Sequence, residues 1–263
     1  MLASPVLLAA EEGAADEKRA IPPEALFAAM LVKAEKGQPQ AMFNVGLLYE
    51  QGLGVPRNLT KALEWYGKAA QAGEREAYFR MGVCHEIGLG TTADLAKAVA
   101  AYEKAAEMGS ADGQHKMASL YLSGQGIAKD EAKGLALLIQ AAQAGNGLAA
   151  NELAAVYLQG LLGQDKDQAK AFEWFQKSAD SGNLEAIKNL AVMLKDGIGR
   201  KPDPESALRW YLIAQKGGLR AQDLETIIAD LKKKVSGERA KKIEGEATAW
   251  IEAYANRQAG MRI

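Results

Sequence analysis

"YEQGLGVPRNLTKALEWYGKAAQAG", Tyr49–Gly73, sets two glycines, an asparagine, a Trp-Tyr pair and a closing Ala-Ala-x-x-Gly in one order. That order returns as "HEIGLGTTADLAKAVAAYEKAAEMG" at His85–Gly109 and "YLSGQGIAKDEAKGLALLIQAAQAG" at Tyr121–Gly145. It returns twice more, as "YLQGLLGQDKDQAKAFEWFQKSADSG" at Tyr157–Gly182 and "LKDGIGRKPDPESALRWYLIAQKGG" at Leu194–Gly218. The closing glycines Gly37, Gly73, Gly109, Gly145, Gly182 and Gly218 are spaced 36, 36, 36, 37 and 36 residues apart. Two further series, Gly52/Gly88/Gly124/Gly160/Gly197 and Asn58/Asp94/Asp130/Asp167/Asp203, keep the same register. The single extra residue lies inside "GLLGQDKD" of the fourth unit. A fixed period of this length marks an array of stacked repeats.

Each series has a mechanical reason. Apolar residues before the first glycine fall at helical spacing, as in Val45, Leu48 and Tyr49 or Leu153, Val156 and Tyr157. The glycine after them suits a left-handed position that ends a helix. Asn or Asp then supplies a side-chain oxygen for an amide of the next helix's first turn, and Pro204 sits where its missing N–H costs nothing. The second helix carries the stripe Ala62, Trp65, Tyr66, Ala69, Ala70. Every unit therefore reads as helix A, loop, helix B, tight turn. Inside helix A a small residue recurs at one place: Gly46, Gly82, Ala118, Ala154, Ala191. A mid-helix glycine costs about 1 kcal/mol against alanine, so the notch implies close approach of a partner helix.

A lone helix pair cannot bury its apolar faces, whereas stacked neighbours can. The expected fold is all-α: a right-handed α/α superhelical solenoid of helix–loop–helix repeats with helical caps at both ends. Residues 38–218 divide into five units, 38–73, 74–109, 110–145, 146–182 and 183–218. Residues 21–37 read as an isolated helix B, because Leu26, Met30 and Ala34 precede Ala62, Tyr66 and Ala70 by one period. Residues 219–263 read as a capping helix pair, with Ile227, Ile228, Leu231 and Val235 on one helix and Ile243, Ala247, Trp250, Ile251 and Tyr254 on the other.

Charge is balanced, 32 basic against 33 acidic residues, so nucleic acid is not an expected partner. Residues 1–20 begin "MLASPVLLAAEEGAADEK", which fits either a residual signal segment or a disordered start. The first places the protein in the periplasm or cell envelope, the second in the cytoplasm. No stretch is long and apolar enough for a membrane span.

The unit "AMFNVGLLYEQGLGVPRNLTKALEWYGKAAQAG" resembles the Sel1-like repeat, a relative of the tetratricopeptide repeat with a longer loop between its helices. The first unit carries the G-x-G-V loop and the W-Y-x-K-A-A ending; the third has Leu137-Leu138 in place of Trp-Tyr. Cysteine-rich members form a disulfide in each repeat, which this chain with its single Cys84 does not follow. The resemblance implies a non-catalytic scaffold that binds another protein or peptide in the concave groove. A second reading, from relatives named as β-lactamase-like, is an enzyme or small-ligand binder acting on cell-wall fragments.

In tetratricopeptide geometry helix A lines the groove. Counting from the notch gives a first row, Phe43, Phe79, His115, Asn151 and Lys188. A second row is Leu47, Val83, Ser119, Ala155 and Val192, and a third is Glu50, Glu86, Leu122, Leu158 and Lys195. This predicts a face that starts apolar and acidic, turns polar and ends basic, suited to an extended peptide. Core packing of Phe43 and Phe79 is the competing expectation. Catalytic, cofactor and metal sites are not expected. The chain lacks G-x-x-x-x-G-K-[ST], H-E-x-x-H, C-x-x-C and G-x-S-x-G, and Cys84 and His85 read as core residues.

Overall fold

The computed structural model describes residues 22–220 and 222–260, and all regular structure in them is α-helical. Helix α1 (Pro23–Glu35) stands alone ahead of five A/B pairs. These are α2 (Pro39–Gln51) with α3 (Leu59–Gln71), α4 (Arg75–Ile87) with α5 (Leu95–Glu107), and α6 (Ala111–Ser123) with α7 (Glu131–Gln143). The last two pairs are α8 (Gly147–Gln159) with α9 (Gln168–Asp180) and α10 (Leu184–Asp196) with α11 (Pro204–Lys216). Two further helices follow, α12 (Leu224–Lys234) and α13 (Gly237–Gly260). The fold is the predicted array of helix–loop–helix units. Helices α1 to α7 form one compact unit and α8 to α13 another. The reading of residues 1–20 falls outside the described residues.

The loop chemistry is the same in all five pairs. Each helix A ends on its glycine at φ between 70° and 75°, in the left-handed region that L side chains avoid. Each Asn or Asp accepts from the amide three residues on, as Asn58 does from Lys61 at 3.0 Å and Asp167 from Lys170 at 2.9 Å. Its own amide reaches back to helix A, Asn58 to the Tyr49 carbonyl at 2.9 Å and Asp94 to that of His85 at 2.7 Å. The loop is thus tied at both ends. Where the fourth loop holds its extra residue, Leu162 takes φ 53°, the one non-glycine at positive φ among the described residues.

The second loop glycine does more than turn the chain. A Cβ on Gly54, Gly90 or Gly199 would fall on the backbone of Pro23, Leu59 or Gln168, the first turn of the preceding helix B. Helix A starts are capped as well: Ser110, Asn146 and Asn183 each accept from the amide three residues on. The sequence reading passed over these caps.

The notch is filled as expected. A Cβ on Gly46 would lie 2.5 Å from the Tyr66 ring, and one on Gly82 2.5 Å from Tyr102. In the third pair Ala118 and Leu138 occupy the two positions. There Gly134 replaces the usual helix B alanine, and its missing Cβ makes room for Leu122, 2.7 Å from where that Cβ would stand. In the second compact unit one core runs from Ala154, Phe175 and Leu190 through Leu208, Trp210 and Ile213 to Leu224, Ile228, Leu231, Ile243 and Ala247. Helices α12 and α13 both pack on α11. Trp250 meets Trp210 edge-on at 5.7 Å and stacks on Tyr254 at 5.4 Å.

Candidate interaction face

The three rows on helix A are half-buried at nearly every position, with Ser119 exposed. They sit on the core with their outer sides open to solvent. In the unit of α1 to α7, Phe43 and Leu47 pack against Tyr66 and Ala62, while Phe79 and Val83 pack against Tyr102 and Ala98. The Phe43 and Tyr66 rings are 5.7 Å apart and tilted by 40°, and Phe79 and Tyr102 repeat this at 5.6 Å and 44°. The rings therefore serve the core on one side and the surface on the other.

The acidic positions carry contacts that the sequence did not foretell. Glu50 accepts a hydrogen bond from the buried Tyr66 hydroxyl at 2.5 Å and faces the Arg80 guanidinium of the next helix A at 3.7 Å. Glu86 accepts from Tyr102 at 2.7 Å and pairs with Lys116 at 2.7 Å. Each carboxylate joins helix A to its own helix B and to the following repeat, so the face here is less acidic than its composition. Desolvation works to raise the Glu86 carboxyl, but the bonds from Lys116 and Tyr102 hold it below the usual carboxylate range. Burial, and then the bonded Glu50 or Glu86, pushes the Tyr66 and Tyr102 hydroxyls well above their ordinary value of 10.0.

A phenol whose folded pKa is raised stabilises the fold fully below its unfolded pKa and loses that contribution as pH climbs past it. Melting temperature is therefore expected to drop above about pH 10, and to drop less steeply in Tyr66→Phe/Tyr102→Phe. The double variant starts lower at neutral pH, because each lost bond to a carboxylate costs about 1–3 kcal/mol. Identical alkaline slopes in a pH series of thermal melts would remove the two hydroxyls from the account.

Leu122 in α6 replaces the carboxylate, and Leu138 the tyrosine, so the third pair keeps an apolar version of the same junction. His115 is half-buried there. In the unit of α8 to α13, Leu158 and Val192 rest on the core, and Asn151 holds a buried Oδ1 with no partner. Lys188 pairs with Glu185 and Lys195 with Asp196, each at 2.7 Å on its own helix. Exposed pairs of this kind are worth at most about 1 kcal/mol and release readily.

Cys84 is buried beside Tyr66 and Ala62, and burial pushes its thiol up to about 11. A thiol protonated at neutral pH is a poor nucleophile. His85 is half-buried with Nδ1 shut from solvent. Among the described residues no group of three or more His, Cys, Asp or Glu could hold a metal ion, and no helix is long and apolar enough to cross a membrane.

A family model for the Sel1 repeat matches residues 39–74, 75–110, 111–146, 147–183 and 184–218. Among solved structures, a Sel1 repeat protein from Oxalobacter formigenes is 26% identical, covering 90% of this chain and 96% of that one, with a TM-score of 0.69. The protective antigen c5321 of uropathogenic Escherichia coli, described as having an SLR fold, is 23% identical over 90% of this chain and 59% of its own, at a TM-score of 0.53. The immunity protein Pa5087 of Pseudomonas aeruginosa is also 23% identical, over 78% of this chain and 80% of its own, at 0.53. The last two likenesses speak to fold alone. Among curated proteins no relative is found. With five consecutive matches over the helix pairs, the chain belongs to the Sel1 repeat family.

Proposed function

We propose that the protein is a non-catalytic scaffold whose helix A faces hold a segment of another protein. One observation carries this reading: scaffold positions recur from repeat to repeat while the face positions do not. The loop glycines, the Asn/Asp caps and the small notch return in every pair. The first row meanwhile runs Phe43, Phe79, His115, Asn151, Lys188. Positions that only packed the array would face the same demand in each unit, whereas positions that read a partner face a different group in each. In the unit of α1 to α7 the contact offered is apolar, through Phe43, Leu47, Phe79 and Val83. In the unit of α8 to α13 it is polar and basic, through Asn151, Lys188 and Lys195. A bacterial envelope setting is part of the proposal, with the solved relatives coming from bacteria.

The ring contacts to Tyr66 and Tyr102 decide how to test it. Phe43→Ala with Phe79→Ala is expected to weaken capture and also to lower the melting temperature, since each ring packs a tyrosine. Leu47→Lys with Val83→Lys charges the same face and keeps those rings; because both side chains also touch the core, its melting temperature is measured beside the parent's, and only a variant that still folds is compared. Affinity capture followed by mass spectrometry, run on the parent and on this second variant, should recover a protein with the first and lose it with the second. Equal recovery by both would move the binding surface elsewhere.

A further inference from the structure

Within the unit of α1 to α7, a cavity of about 460 Å³ opens between α5, α6 and α7, and none of the three rows lines it. Its walls include Glu103, Ala106, Gln114, Met117, Tyr121 and Leu137. Two periods earlier the same six positions are Leu31, Ala34, Met42, Val45, Tyr49 and Trp65. Those residues form one packed cluster in which the Trp65 indole fills the space, with the Lys68 ammonium 4.1 Å from the ring centre. Trp174 stands at the same register under Lys177 at 3.9 Å, and Trp210 again at that register. The second repeat has Ala101 at this register, and the third has Leu137 there with Gln140 where the lysine belongs.

The walls changed together with the filling. Leu31 and Met42 become Glu103 and Gln114, so an apolar slot sealed by its own tryptophan becomes an open one with polar groups. The Gln114 Oε1 is shut from solvent and accepts no hydrogen bond, so a donor in the slot meets it only after the amide turns, and the bond then relieves its desolvation cost. At the rim, Lys133 lies 5.5 Å from the Tyr121 ring and 3.8 Å from Asp130, and Lys104 pairs with Glu107 at 3.1 Å. Glu103 has no ion-pair partner among the described residues.

We propose that this slot binds the tryptophan side chain of a partner peptide. Its indole takes the place that Trp65 fills in the first repeat, its ring N–H donates to Gln114 Oε1 once that amide has turned into the slot, and an adjacent basic residue faces Glu103. The indole is the ring this register holds in the first, fourth and fifth repeats, and its N–H is a donor with no acceptor capacity, the complement of an unpaired amide oxygen. This site is independent of the helix A faces, so either reading can fail without the other.

The probe is acetyl-Lys-Trp-amide titrated into the full chain, with acetyl-Lys-Phe-amide and free indole as the other arms, followed by calorimetry and methyl NMR. A dissociation constant on the order of 1 mM is expected for a single anchor of this size, with shifts at the Met117 and Leu137 methyls and a preference for Trp over Phe. Gln114→Leu should erase that preference. Leu137→Trp should supply the missing ring, raise the melting temperature and weaken the probe at least tenfold. The proposal is overturned by unchanged binding in Leu137→Trp, by shifts confined to another surface, or by free indole binding as tightly as the dipeptide. A Leu137→Trp chain that melts lower or fails to fold overturns it too, because the slot would then not accept an indole.

Discussion

Gly82→Leu should cost about 3 kcal/mol or more and leave the chain largely unfolded near its former melting temperature. A single Cβ there already lies 2.5 Å from the Tyr102 ring, and leucine adds three further carbons to a position with no room for the first. Overpacking of a tight core costs about 1–3 kcal/mol and occasionally more. The tyrosine cannot swing away cheaply, because its ring is buried under Phe79 and its hydroxyl is bound to Glu86. The third repeat shows which combination relieves the crowding. It uses Ala118, Leu138, Leu122 and Gly134 at the positions of Gly82, Tyr102, Glu86 and Ala98. Gly82→Ala alone should therefore destabilise, while the set Gly82→Ala, Tyr102→Leu, Glu86→Leu and Ala98→Gly should recover most of the loss. Thermal melts of the single and combined variants decide this. A Gly82→Leu protein that melts with the parent would show that the notch is not a close-approach site.

Removing residues 222–263 is expected to turn a dispersed protein into an aggregating one. The deletion strips α12 and α13 from α11, leaving Trp210, which is 1% exposed in the full chain, open to water along with Leu212 and neighbouring core residues. Each large apolar side chain returned to solvent forfeits about 1.5–3 kcal/mol, and a contiguous patch of them invites association. Trp250 and Tyr254 go with the deletion; a Cβ on Gly182 would meet the Tyr254 ring, so α13 also covers the turn that closes the fourth pair. Removal of residues 1–20 is the comparison and should change much less. Size-exclusion profiles and dye binding of the two truncations measure the difference. Similar behaviour would deny α12 and α13 a capping role.

Local chemistry made much of this legible in advance. An Asp bonded to the amide three residues on, a glycine that must take positive φ and a proline at a helix start each act within a few residues. Period, helix pairs and caps could therefore be read from Tyr49–Gly73 and its copies. Of the apolar residues named for the ends of the array, Met30, Ala34, Ile227, Ile228, Leu231, Val235, Ile243, Ala247, Trp250 and Ile251 do join the core, since a 3.6-residue stripe needs only one partner surface. The fourth loop's excess was visible as well, although not that it would place Leu162 at φ 53°.

What a side chain does between repeats lay beyond the string of letters. Glu50 and Glu86 read as groove acids, and the structure adds that each bonds a tyrosine 16 residues on and pairs with a cation 30 residues on. Gly54 and Gly90 must lack a side chain because the first turn of the helix before last occupies the space a Cβ would take. Leu137 read as a departure from the pattern, and only packing shows that the departure leaves a space. Stacking brings together residues about one period apart, and a desolvated contact at that range depends on how three helices meet. Turns and caps close over a handful of bonds and so are written in the order of the residues; junctions between repeats are settled by distance in space.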